Sequence, residues 1–172
     1  FNSPQGLICR ETEIFVADTG NHAVRHICLK TGHVSTLCGT GRRGMPVHGI
    51  HKAQKADLAS PWDLELARDT LWIANAGTHQ ILGLDLTRLT LEQIAGSGGE
   101  DILDGPSKQA LLAQPSGLFW REQGQILYFV DSETSSVRSL PINRGEIKTI
   151  SGQGLFDFDL KDGPGHQALF QH

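Results

Sequence analysis

Val16-Ala17-Asp18-Thr19-Gly20-Asn21-His22-Ala23-Val24-Arg25 joins a short apolar run to an acid, a polar turn and a second apolar run. The same order returns as Ile73-Ala74-Asn75-Ala76-Gly77-Thr78-His79-Gln80-Ile81-Leu82. It returns again as Phe129-Val130-Asp131-Ser132-Glu133-Thr134-Ser135-Ser136-Val137-Arg138. Outward from this core, Ser3-Pro4-Gln5-Gly6-Leu7, Ser60-Pro61-Trp62-Asp63-Leu64 and Gln114-Pro115-Ser116-Gly117-Leu118 precede the three runs. A Gly-x-Gly closes each unit, at Gly39 and Gly41, Gly96 and Gly98, Gly152 and Gly154. Equivalent residues stand about 54 to 58 apart, a period typical of propellers and solenoids.

Within a unit the pattern predicts four short strands, at 6–9, 13–18, 23–29 and 34–38 in the first, rich in β-branched and aromatic residues and bounded by turn formers. Thr31-Gly32, Arg88-Leu89 and Arg144-Gly145 fall at the hairpin between the last two. A four-stranded meander repeated in series is a propeller blade. The expectation is an all-β propeller of three four-stranded blades, spanning 1–57, 58–111 and 112–172. In a meander alternate connections lie on opposite rims. The turn between the second and third strands then shares a rim with the long crossings 39–59 and 96–113, and loops of that length often carry function.

Composition narrows the function classes. A chain that is 38% hydrophobic and 20% charged is expected to fold. The formal net charge of -4 offers no general attraction to nucleic acid or anionic lipid, and no apolar run is long enough to span a membrane as a helix. Cys9, Cys28 and Cys38 form no CxxC pair, which points to free thiols and to a reducing, cytoplasmic setting. The opening Phe1-Asn2-Ser3-Pro4 reads as a cut start, with neither initiator Met nor signal peptide.

The run Val16 to His22, with Asn21-His22-Ala23 at its end, resembles the NHL repeat, and the likeness extends over the whole chain. Leu71-Trp72-Ile73-Ala74, Ala76-Gly77-Thr78-His79-Gln80-Ile81, Ala95-Gly96-Ser97-Gly98 and Ala113 to Leu118 are similar to the propellers of thioredoxin-like/NHL proteins. Asp131 to Arg138 is similar too. That resemblance implies that the chain is half of a six-bladed ring, and that the thioredoxin-like part and its redox chemistry lie outside it. Half a ring leaves apolar blade faces open, so pairing with a second copy or with remaining blades of the same propeller is expected.

Asp18, Asn75 and Asp131 recur in every unit, which suits a turn former better than a catalytic group needed once. With Asn21 and His22 they are read as structural turn residues. A zinc reading of His22 and His79 requires three ligands converging on one ion, and repeat-related turns converge poorly. Trp62 and Asp63 are unmatched by Gln5-Gly6 and Ser116-Gly117, and Asp63 on an innermost strand is expected to project toward the central channel.

Arg42, Arg43, Lys52 and Lys55 make the first crossing basic. Glu100, Asp101 and Asp104 make the second acidic, and Asp157, Asp159 and Asp162 the third. Such mixed rims fit a protein or peptide better than phosphate. The candidate binding residues are Arg42, Arg43, Trp62, Asp63, His79, Glu133 and Arg138. No catalytic residue, metal or cofactor is expected, and the function read is a non-catalytic interaction module. NHL-fold amidating lyases hold a zinc on the propeller. A metal-dependent lyase or hydrolase with its site on the channel is therefore the alternative.

Overall fold

Gly-rich turns divide the chain into short strands, and these pair locally because neighbouring strands meet with little loop entropy. In the computed structural model, which describes residues 1–157 and 159–171, β1 (Leu7–Arg10), β2 (Glu13–Asp18), β3 (Ala23–Cys28) and β4 (His33–Cys38) form an antiparallel meander in chain order. β5 (Ile50–Lys52) lies in the first crossing. β6 (Pro61–Ala67), β7 (Thr70–Asn75), β8 (Gln80–Asp85) and β9 (Thr90–Ala95) form the second meander. β10 (Gly105–Pro106) lies in the second crossing. β11 (Pro115–Arg121), β12 (Ile126–Asp131), β13 (Ser136–Pro141) and β14 (Glu146–Ser151) complete the third. The three sheets adopt the β-propeller arrangement.

The crossings do more than connect. β5 pairs with the outer edge of β9, and β10 with that of β14, so the second and third sheets have five strands each. Two- and three-residue strands have no alternating pattern to read. They exist because an outermost strand offers unpaired N–H and C=O groups that a passing segment can satisfy.

Alternating side chains give each sheet two apolar faces. Phe15, Ala17 and Val24 of the first sheet pack on Leu64, Leu71, Ile73, Leu82 and Leu84 of the second. The opposite face of the second, with Trp72 and Ile81, packs on Leu127, Phe129 and Leu140. Trp72 and Trp120 stack across this junction, with centroids 5.9 Å apart.

Backbone bonds add register. The Gly6 amide donates to Trp62 O (2.8 Å), and Leu118 N and Trp120 N donate to the Asp63 and Glu65 carboxylates (2.8 and 3.1 Å). The first glycine of each Gly-x-Gly is a packing requirement: a Cβ on Gly96, at φ +82°, would lie 2.2 Å from His79 O.

Candidate functional site

Each turn between the second and third strands is a single 3-10 turn, at Thr19–Asn21, Ala76–Thr78 and Ser132–Thr134. It ends on a left-handed residue, His22, His79 or Ser135. The acid or amide ahead of the turn anchors the entry of its own sheet. Asp18 Oδ1 accepts from Asn2 N (2.7 Å), Asn75 Oδ1 from Ala59 N (3.0 Å) and Asp131 Oδ1 from Ala113 N (2.9 Å). Asn21 Nδ2 donates to Asp18 Oδ2 (2.9 Å). The two histidines reach forward to the next sheet: Nδ1 of His22 accepts from Ser60 N (3.0 Å) and that of His79 from Gln114 N (3.2 Å). An Nδ1 that accepts carries no proton, so Nε2–H is left as the free donor of each ring.

Between the second and third sheets this rim opens into a cleft of about 270 Å³, lined by Arg43, Ser60, Trp62, His79, Glu100 and Gln114. The first crossing supplies Arg43, the innermost strand supplies Trp62, the turn supplies His79 and the second crossing supplies Glu100. Trp62 is 41% exposed. Glu133 stands behind the cleft, its carboxylate accepting from Gln114 Nε2 (2.9 Å). The cleft thus has an aromatic wall, one cation, one anion and an imidazole N–H.

The remaining candidates lie elsewhere. Arg42 is in solvent, 3.6 Å from Asp57. Asp63, expected in the channel, turns sideways instead: Oδ2 accepts from Leu118 N, which satisfies an amide of the neighbouring innermost strand. Arg138, expected at a binding surface, is fully buried. Its Nη1 donates to Asp131 Oδ2 and Leu111 O (2.9 and 2.7 Å), and its Nη2 to Asp104 Oδ1 and Leu103 O (2.9 and 3.1 Å). Position in the strand could not reveal this, because the crossing that covers Arg138 is distant in sequence.

Burial pushes the Asp131 carboxyl up against the opposing pull of Arg138. Partial burial raises Asp104 too, but the amide and hydroxyl of Thr149 and the Arg138 guanidinium outweigh it and hold Asp104 below the usual carboxylate value. Among the described residues no group of three His, Cys, Asp or Glu side chains is placed to hold a metal ion. Sequence reasoning missed Ser60, Glu100 and Gln114 as cleft walls. The repeat offered a signal for Ser60 and Gln114, which occupy equivalent places before the sheet-opening prolines.

No family model matches the chain. Human NHL repeat-containing protein 2 is 39% identical to it over 200 residues, a match that takes in the whole chain and 27% of the relative. The Arabidopsis thaliana protein SUPPRESSOR OF QUENCHING 1, chloroplastic, is 37% identical over 183 residues, again with all of the chain and 17% of the relative. The chain is an NHL-repeat β-propeller module. It spans about a quarter of the length of the NHL repeat-containing relative. A Bacteroides thetaiotaomicron protein of unknown function superposes with a TM-score of 0.77 at 20% identity, over 99% of this module and 41% of that chain. At that identity the likeness concerns the fold. Within the NHL module the His22 and His79 latches and the Asp18, Asn75 and Asp131 anchors belong to the frame. The Trp62 cleft departs from the repeat.

Proposed function

We propose that this chain is a non-catalytic interaction module that binds a peptide segment of a protein partner in the Trp62 cleft. One observation carries the reading: Trp62, a residue the other repeats lack, stands 41% exposed beside Arg43 and Glu100. Exposed tryptophans flanked by charge are favoured interface anchors, since a large rigid ring buries much apolar area at small entropic cost. About 270 Å³ is at the small end for a cofactor pocket and suits a side chain or two of a peptide. The paired charges of Arg43 and Glu100 would orient such a peptide and select against uniformly charged ligands.

The test is selection of a displayed random peptide library on the intact chain, followed by Trp62→Ala and Arg43→Glu. Enriched peptides are expected to lose at least tenfold in affinity for Trp62→Ala, as for an interface anchor. Failure to enrich any peptide, or binding indifferent to both substitutions, would overturn the reading.

A further inference from the structure

The junction between the second and third sheets holds another cavity, at the opposite strand ends from the Trp62 cleft. Thr70 and Trp72 of β7, Gly83 and Asp85 of β8, and Thr90 and Glu92 of β9 are cross-strand neighbours, so they share one face of the second sheet. That face turns to the third sheet, where Trp72 packs. Toward the outer rim the sheets part and leave a cavity of about 270 Å³, which Ile50, Ile94 and Ile142 also line.

A glycine makes the room. A Cβ on Gly83 would lie 2.9 Å from Ile94 Cγ1 and 3.5 Å from Trp72 Cζ3, so these two side chains floor the space where a side chain would stand. The junction between the first and second sheets shows what the same place holds when it is filled. His26 stands at the position of Gly83, paired with Phe15 as Gly83 is with Trp72. Its ring lies against Phe15, centroids 5.6 Å apart, and its Nε2 is 3.1 Å from Glu13 Oε1. An aromatic wall, a basic group and a carboxylate thus meet at the first junction. The second keeps the wall and two carboxylates and omits the basic group.

Both carboxylates are open to a new cation. Asp85 Oδ1 caps its own turn, accepting from Thr87 Oγ1 and from the amides of Thr87 and Arg88 (2.7, 2.8 and 2.9 Å). The Thr87 hydroxyl and these amides hold the carboxyl below the usual value, so it is charged at neutral pH. Asp85 Oδ2 lies 3.6 Å from Arg88 Nη1, and Glu92 Oε2 lies 4.0 Å from Lys108 Nζ. Arg88 and Lys108 are 80% and 59% exposed, and long contacts to such side chains bind weakly.

We propose that this cavity is a second docking site, which takes one long basic side chain, lysine or arginine, from a protein partner. Its carbon stem lies along Trp72, Ile94 and Ile142, and its charge reaches Asp85 Oδ2 and Glu92 at the rim, the division of labour that long basic side chains favour. Ile50, 72% exposed on the lip, adds apolar contact for the partner's neighbouring residues. The volume is below the roughly 300–1,000 Å³ of small-molecule sites and suits a single side chain.

NMR titration of the intact, isotope-labelled chain with Nα-acetyl-arginine amide and Nα-acetyl-lysine amide tests this, with Nα-acetyl-norleucine amide as the uncharged control. The basic probes are expected to shift the amides of Gly83, Thr90 and Glu92 saturably in the millimolar range, and norleucine about threefold more weakly or less. Glu92→Gln keeps the shape of a partly exposed side chain and should weaken the basic probes about threefold or more. Gly83→His copies the first sheet and should abolish saturation; an unchanged urea midpoint for Glu92→Gln keeps the test sound if Gly83→His folds poorly. No shift at these amides, shifts as large with norleucine, or binding indifferent to Glu92→Gln would overturn the proposal. Shifts confined to His79 and Gln114 would overturn it too, while leaving the peptide reading of the Trp62 cleft in place.

Discussion

Arg138 Nη1 and Asp131 Oδ2 lie 2.9 Å apart with both side chains fully buried. The equivalent pair of the second sheet is Leu82 and Asn75, also buried. One fold therefore fills one position with an ion pair and with a neutral pair, and the two residues change together. Removing one partner of a buried ion pair strands the other charge, which typically costs about 3–5 kcal/mol. Arg138→Leu is expected to destabilise the module by that amount in urea unfolding. Asp131→Asn added to it should recover a measurable part, with the remainder reflecting the bonds from Arg138 to Asp104, Leu103 and Leu111.

Asp104 makes stability depend on pH. Its carboxyl titrates below the usual 3.8 in the folded chain, because the bonds from Thr149 and Arg138 outweigh partial burial. A folded-state value below the unfolded one means that the folded form holds fewer protons. Its contribution is present above pH 3.8 and is lost as pH falls through the depressed value. Asp104→Asn should lower stability at neutral pH and flatten the acid limb of the profile, measured as urea midpoints between about pH 2 and 7. An unchanged acid limb would contradict the assignment.

The three thiols should separate by reactivity. Burial pushes the Cys38 thiol up to about 12, so almost no thiolate exists at neutral pH and reagent cannot reach it. Cys28 is half-buried, and the hydroxyl and amide of Thr31 and the amide of Lys30 hold its thiol below the usual value. Cys9 is exposed. Iodoacetamide at pH 8 is expected to alkylate Cys9 and Cys28 in the folded chain and Cys38 only in denaturant, read by peptide mass.

Gly6 sits at a close approach of the first sheet to the second, its amide 2.8 Å from Trp62 O. A Cβ there would lie 2.3 Å from Asp63 Oδ1 and 2.7 Å from its Cα, so backbone would have to move. Gly6→Ala should cost about 1–3 kcal/mol, the usual penalty for overpacking. Asp63→Gly also removes the acceptor of the Leu118 amide, so relief of the side-chain part of the clash is read from the coupling of a double-mutant cycle with Gly6→Ala rather than from net stability.

The repeat was legible because three copies of a local pattern report on one another. The strand at 13–18 coincides with β2, and 23–29 and 34–38 differ from β3 and β4 by one residue at one end. These strands are made by neighbours in sequence. The crossings were less legible. Their sequence predicts long loops, yet they supply β5, β10, the wall of the Trp62 cleft and the segment over Arg138. Their partners lie tens of residues away, and no periodicity within the crossing announces such pairing.

The order of residues along the chain carries the all-β repeat, its landmarks and the positions that break the pattern. Local strand pairing and turn chemistry depend on short stretches and leave a periodic trace. Which of those residues meets solvent and which meets a neighbour depends on how the sheets and crossings pack. Trp62 and Arg43 converge on a surface cleft, whereas Asp63 bonds an adjacent strand and Arg138 vanishes beneath a crossing. Exposure is a property of the sheets as packed. Asp63 and Arg138 carry charges that looked available along the chain, and packing of one sheet on the next took both out of solvent's easy reach.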